Sequence, residues 1–351
     1  MSVRKSFTLF LSIVAVSAMG VIFFSIDAAT FDILKNADRS LIALAALLVV
    51  CGWCLDSMKF MLLARAAGER LPFKLSISLV WINYFGSAIT PMQSGGGPFQ
   101  IYLLYRHGVS VGKSIAITLV RTLQVLFLLA LTVPFALMAE PEFAKEHCMM
   151  IWVVGYVMLF IVVAGFLLVV SVVRPQWIKR WSSGFLVRIR RFGFIRPRKL
   201  VKAARWVNAE IDCYNANIKL FLSAGRKWLF LSLLVALVNL WVYLSIMPCL
   251  IKALGFEVQY FECILAEALL IFLLYFVPTP GGSGIAEGGA AAVFAIFVPW
   301  NLAGIMGVIW RMLSEYSGVA LGTGIALRLL GWGGAEEVMS VEDGVSADES
   351  Q

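Results

Sequence analysis

The chain has 351 residues, 61% of them hydrophobic and only 14% charged, with a mean hydropathy of +0.88. Soluble domains carry about a quarter charged residues, so this composition excludes a soluble globular protein and indicates an all-α, polytopic membrane protein. The net charge of +8 is concentrated, with 14 Lys and Arg between Arg174 and Lys227 against Glu210 and Asp212 alone; without a nucleic-acid recognition motif, that block marks a cytoplasmic loop beside anionic lipid.

In chain order, Arg4 and Lys5 precede an apolar stretch from about 7 to 24, read as an uncleaved first span. A second span covers about 41–63 and is followed by Arg65, Arg70 and Lys74. The apolar stretch 75–105 is broken by "TPMQSGGGP", and basic Arg106 and Lys113 follow it. A third span is expected over about 114–138, then the acidic "AEPEFAKEH", then a fourth span over about 149–173. Beyond the basic loop 174–227 come a fifth span at about 228–250 and an apolar stretch 260–298 broken by "FVPTPGGSGIAEGG". A last span covers about 302–330, and the acidic end, 336–351, has the composition of a disordered tail. The expected domain is one membrane unit over 1–335, with a first half at about 41–173 and a second at about 228–330.

Each full span needs about 20 apolar residues to cross a hydrocarbon core of roughly 30 Å. If the two broken stretches each crossed once, the basic loops would soon fall on the wrong face. Read as re-entrant hairpins, they leave six full spans and put every basic loop, and both termini, in the cytoplasm. The first hairpin then opens to the cytoplasm and the second to the exterior. Asp56 and Lys59 are expected near an interface, snorkelling. The six cysteines form no disulfide framework, and "CGWC" at 51–54 lies inside a span. His107 and His147 stand far apart in expected loops and offer no metal site, so no metal or cofactor is expected.

The two broken stretches resemble each other. Thr90-Pro91 precedes Gly95, Gly96 and Gly97, as Thr279-Pro280 precedes Gly281, Gly282 and Gly284. Arg121 lies 30 residues after Pro91, and Arg311 lies 31 after Pro280, both inside apolar helices. Because the hairpins enter from opposite faces, the repeat is inverted. Pro/Gly-interrupted segments at matching places in two halves point to a transporter's binding site. Helix N-termini after the glycines would aim N–H groups at an anion, and guanidinium groups grip phosphate through paired hydrogen bonds. Glu287 is a candidate partner for an arginine or a carrier of a proton. The alternative for either arginine is a structural ion pair with Glu267, Glu287 or Glu315, and for the glycines, close helix packing.

"PTPGGSGIAEG" at 278–288, with Arg311 and "EYSGVALGTG" behind it, resembles the lysylphosphatidylglycerol synthase transmembrane region, a flippase-like family also called UPF0104. "SGGGPFQIYLLYRHGVSVGKSIAITLVR" at 94–121 resembles its first-half motif, although Gln100 and Gly97 stand where many relatives carry a basic and an acidic residue. The resemblance covers about residues 8–330. It implies a bacterial inner-membrane protein that moves a lipid or lipid-like amphiphile between leaflets, in a stand-alone form without the synthase domain. The expected binding residues are then Arg121, Arg311, Glu287, Gly95, Gly96, Gly97, Gln100, Pro280, Gly281, Gly282 and Gly284, with membrane lipids as partners. A membrane enzyme acting on a lipid-linked phosphate or sugar, or a scaffold using the basic loop, are the alternatives.

Overall fold

The structure is a computed structural model that describes residues 3–25, 28–90, 93, 95–139, 155, 159, 163 and 225–329. The expected fourth span, basic loop and acidic tail lie, save isolated positions, outside the described residues, as does Pro91. Among the described residues every regular element is helical. The first group is α1 (Val3–Ser25), α2 (Ala28–Lys35), α3 (Arg39–Ala66), α4 (Phe73–Ile89), α5 (Gly96–Arg106) and α6 (Val111–Ala139). The second is α7 (Arg226–Leu244), α8 (Ile246–Ala253), α9 (Tyr260–Leu274), α10 (Ile285–Phe294), α11 (Trp300–Arg311) and α12 (Ser317–Leu329), with a π-helical turn, Met312–Tyr316, joining the last two. By length and composition Arg39–Ala66, Val111–Thr132 and Arg226–Ala253 can each cross a membrane.

Two expected spans depart from a straight helix. The fifth bends at Ser245, between α7 and α8. Pro248 has no N–H to offer the carbonyl of Leu244 one turn back, so the ladder opens there. The last is interrupted by the π turn immediately after Arg311; such turns are rare and recur at functional sites.

Both breaks follow from local chemistry. Thr90 leaves α4 in extended geometry (φ −120°, ψ 147°), because the ring of the following Pro91 disfavours a helical residue before it. In the second break Gly281, Gly282 and Gly284 all have positive φ (62°, 69° and 86°), a region costly for residues with a Cβ. The helices on either side are short: 17 and 11 residues around the first break, 15 and 10 around the second. At 1.5 Å per residue the shorter arm of each pair reaches only about half a bilayer. Within each pair the arms pack on each other.

Pairing between elements repeats when the halves are exchanged. With α3 matched to α7–α8, α4–α5 to α9–α10, and α6 to α11–α12, the contact of α4 with α12 becomes that of α9 with α6. Likewise α5 on α6 becomes α10 on α11, and α3 on α4 becomes α8 on α9. The most extensive contact joins the matched elements α3 and α7. The two apolar cores follow the same exchange. One gathers the α4–α5 pair with Ala66, Trp228 and Ala326; the other gathers the α9–α10 pair with Ala45, Leu250 and Leu302.

The first core closes an end where basic residues collect. Lys113 Nζ sits 2.6 Å from Glu69, Arg106 donates to the carbonyl of Leu329 at 2.9 Å, and Arg65 lies over the Trp228 ring. At the second core the N–H of Asp38, at the start of α3, donates to the carbonyl of Ala253, at the end of α8.

Candidate functional site

The two breaks meet each other. The Gly281 N–H donates to the carbonyl of Thr90 at 3.3 Å, so one interrupted helix pair is hydrogen-bonded to the other at their bends. Thr90, Gly95, Gly96, Gly281, Gly282 and Ser283 are all buried. This non-helical backbone is sheltered by protein, the condition under which it could lie within a lipid bilayer.

Beside the meeting point lies a cavity of about 330 Å³, walled by α3, α4, α6, α7, α9 and the α11–π turn. That is within the range of small-ligand pockets, near its lower end. Five charged side chains line it: Asp56, Lys59, Arg121, Arg311 and Glu315. Asn83, Asn239 and the Tyr84, Tyr243 and Tyr275 side chains also reach its wall.

The charges form two clusters, one per half. In the first, Asp56 receives both cations: Lys59 Nζ at 2.6 Å and Arg121 Nη2 at 2.5 Å, with Arg121 Nε at 3.4 Å. The Arg121 guanidinium also lies over the Phe60 ring, 4.9 Å from its centre. Lys59 is only 1% exposed, so it does not snorkel to an interface, and Asp56 is buried too. Both lie on α3 where it packs against α4 and α7. The expected snorkelling is therefore corrected; the signal for a buried pair was an acid and a base three residues apart on one helix face inside an apolar span.

In the second cluster Arg311, 2% exposed, donates through Nη2 to the Gly281 carbonyl at 2.9 Å. Its guanidinium stands 3.6 Å from Glu315 and 3.8 Å from Glu287, and lies over the Tyr316 ring. Glu287 also accepts the Gly284 N–H at 2.5 Å and the Tyr316 hydroxyl. The positive end of α10 is therefore answered by this helix's own carboxylate, not held open for an anion. The first cluster carries one excess positive charge and the second one excess negative charge.

Of the residues expected from sequence, Arg121, Arg311 and Gly97 line the cavity. Gly281 supplies the carbonyl that fixes Arg311, and Gly282 packs near Gln93, which also lines the cavity. Glu287 sits behind Arg311, outside the lining. Gly95 and Gly96 serve close packing: a Cβ would collide with Thr90 from the first and Asn83 from the second. Gly284 and Pro280 shape the second turn. Gln100 points away from the cavity into the α4–α5 interface, where Nε2 donates to the Leu79 carbonyl at 3.0 Å. Glu267, expected as a possible ion-pair partner for an arginine, instead meets Trp310 across 43 residues by a 3.0 Å bond from Nε1 to Oε1, a partner the sequence did not signal.

Residues 9–322 match the family described as the lysylphosphatidylglycerol synthase TM region. The chain is also similar to a UPF0104 membrane protein of Archaeoglobus fulgidus, 25% identical over 312 residues, covering 88% of this chain and 93% of that protein.

Proposed function

Since the chain belongs to the lysylphosphatidylglycerol synthase transmembrane-region family, we propose that it is a carrier that moves a lipid or lipid-like amphiphile with a phosphate-bearing headgroup between bilayer leaflets. The carrying observation is the charged cavity at the meeting of two interrupted helix pairs, with Lys59, Arg121 and Arg311 against Asp56 and Glu315 on its wall. Its volume of about 330 Å³ suits a headgroup while acyl chains stay in lipid. The cluster of Lys59 and Arg121 around Asp56 carries one excess positive charge on the cavity wall, which favours an anionic group such as phosphate.

In this reading α4–α5 and α9–α10 are re-entrant hairpins opening to opposite faces, within six full spans of a bacterial plasma membrane. The basic end, with Arg65, Arg70, Lys74, Arg106 and Lys113, faces the cytoplasm with both termini. Rocking of one half against the other about the Thr90–Gly281 contact would open the cavity to each face in turn. No bond in the substrate is made or broken, so the protein acts without enzymatic turnover.

The test is reconstitution into phosphatidylethanolamine–phosphatidylglycerol vesicles carrying headgroup-accessible fluorescent phospholipids and polyprenyl phosphates. The expected result is protein-dependent leaflet exchange of phosphate-bearing probes, reduced about tenfold or more in Arg121→Gln as one charge-assisted pair is lost. Equal exchange in protein-free vesicles, or recovery of a covalently altered probe, overturns the reading.

A further inference from the structure

Glu267 stands apart from the cavity charges. It is fully buried in α9, one of three buried acids among the described residues, with Asp56 and Glu287. Those two are each paired with a cation; Glu267 has one neutral donor, the Trp310 indole, and its Oε2 finds no partner. The groups facing it are weak or neutral: Cys263 one turn earlier on α9, and Tyr243 from α7. Ala266 and Ala268, which flank it on α9, lie in an apolar cluster with Leu129 of α6, and Val293 of α10 packs against that cluster. Arg311 follows Trp310 in sequence but is held by Gly281, Glu287 and Glu315.

A carboxylate in such surroundings has no stable ionised form, because an isolated buried charge neutralises rather than remain unpaired. Trp310, its one partner, also borders the cavity. The repeat makes the site one-sided. Glu267 lies 13 residues before Pro280, and the residue 13 before Pro91 is Ser78, a neutral side chain that bonds its own helix at Lys74.

We infer that Glu267 is a proton-binding site which couples the carrier to a proton gradient. While Trp310 covers it the carboxyl holds its proton. When the ring moves and water enters from the cavity, the O–H bond at Oε2 breaks and the proton leaves to water, with no other bond changed. The bare carboxylate then cannot return to the closed site until it is reprotonated, so each cycle carries one proton. This coupling rests on the leaflet-exchange reading.

Two measurements separate the proton site from that reading. Infrared difference spectra of the purified protein at neutral pH, unmodified minus Glu267→Gln, are expected to show a carboxylic-acid carbonyl band; its absence overturns the proposal. Trp310→Phe, which removes the indole N–H, should move that band to higher frequency, and an unmoved band overturns the assignment. In the vesicles described above, a pH difference of one unit should drive up to about tenfold accumulation of the transported probe in one leaflet, the limit for one proton per lipid. Glu267→Gln should exchange probe without accumulation. Accumulation persisting in that variant, or absent from the unmodified protein, overturns the coupling. If the unmodified protein exchanges no lipid at all, the transport reading and the coupling fail together, and the infrared band alone then decides whether Glu267 holds a proton.

Discussion

Asp56 holds two cations with one carboxylate, so its neighbours are unequal in what their removal does. Arg121→Gln leaves Asp56 still paired with Lys59 at 2.6 Å. Asp56→Asn leaves Lys59 and Arg121 facing each other in a buried site with no countercharge. Breaking a buried pair from the side that strands a charge costs about 3–5 kcal/mol. Asp56→Asn is therefore expected to lower the thermal midpoint in detergent sharply, and Arg121→Gln much less. Equal losses would show that Asp56 is not the shared anchor. In the second cluster Tyr316→Phe removes one of the two hydrogen bonds to Glu287, and a net loss of about 1 kcal/mol is expected in the same assay. Its effect on exchange should be small, because neither partner lines the cavity.

The α4–α12 contact shows how glycines set the distance between elements. A Cβ at Gly322 would stand 2.0 Å from the Trp81 carbonyl oxygen, which is backbone and cannot step aside. Gly324, two residues on and on the opposite, exposed side of the same helix, has nothing within 4 Å of an added Cβ. Gly322→Ala should force α12 off α4 and destabilise, whereas Gly324→Ala should stabilise by about 0.5–1 kcal/mol through helix propensity. Thermal midpoints of the two variants, measured together, check both signs. The breaks, the glycine clusters and the two arginines were legible in sequence because Pro, Gly and Arg within an apolar run have few innocent explanations. The Asp56–Lys59–Arg121 cluster was not, because its meaning depends on α4 and α7 covering α3, a fact of packing. The bonds from Trp310 to Glu267 and from Gln100 to Leu79 were hidden for the same reason. The π turn in the last span has no signature in its sequence, because it changes only the hydrogen-bond ladder.

The exchange of halves puts the connections that follow the first interrupted pair and precede the second at different ends of the molecule. The chain between α5 and α6 belongs to the basic end, beside Glu69 and Leu329. The chain between α8 and α9 belongs to the other end, where Asp38 bonds Ala253. Ser110 is exposed at the first and Gln259 at the second, so each accepts a probe without disturbing a core. In the proposed topology the basic end faces the cytoplasm, since Lys and Arg in short loops resist translocation. In a background lacking the six native cysteines, Gln259→Cys is expected to react with a membrane-impermeant maleimide on intact cells. Ser110→Cys should react only after the membrane is opened. Reaction of both from the same face would mean that the second interrupted pair does not open opposite the first, and the two halves could not alternate access to a shared cavity.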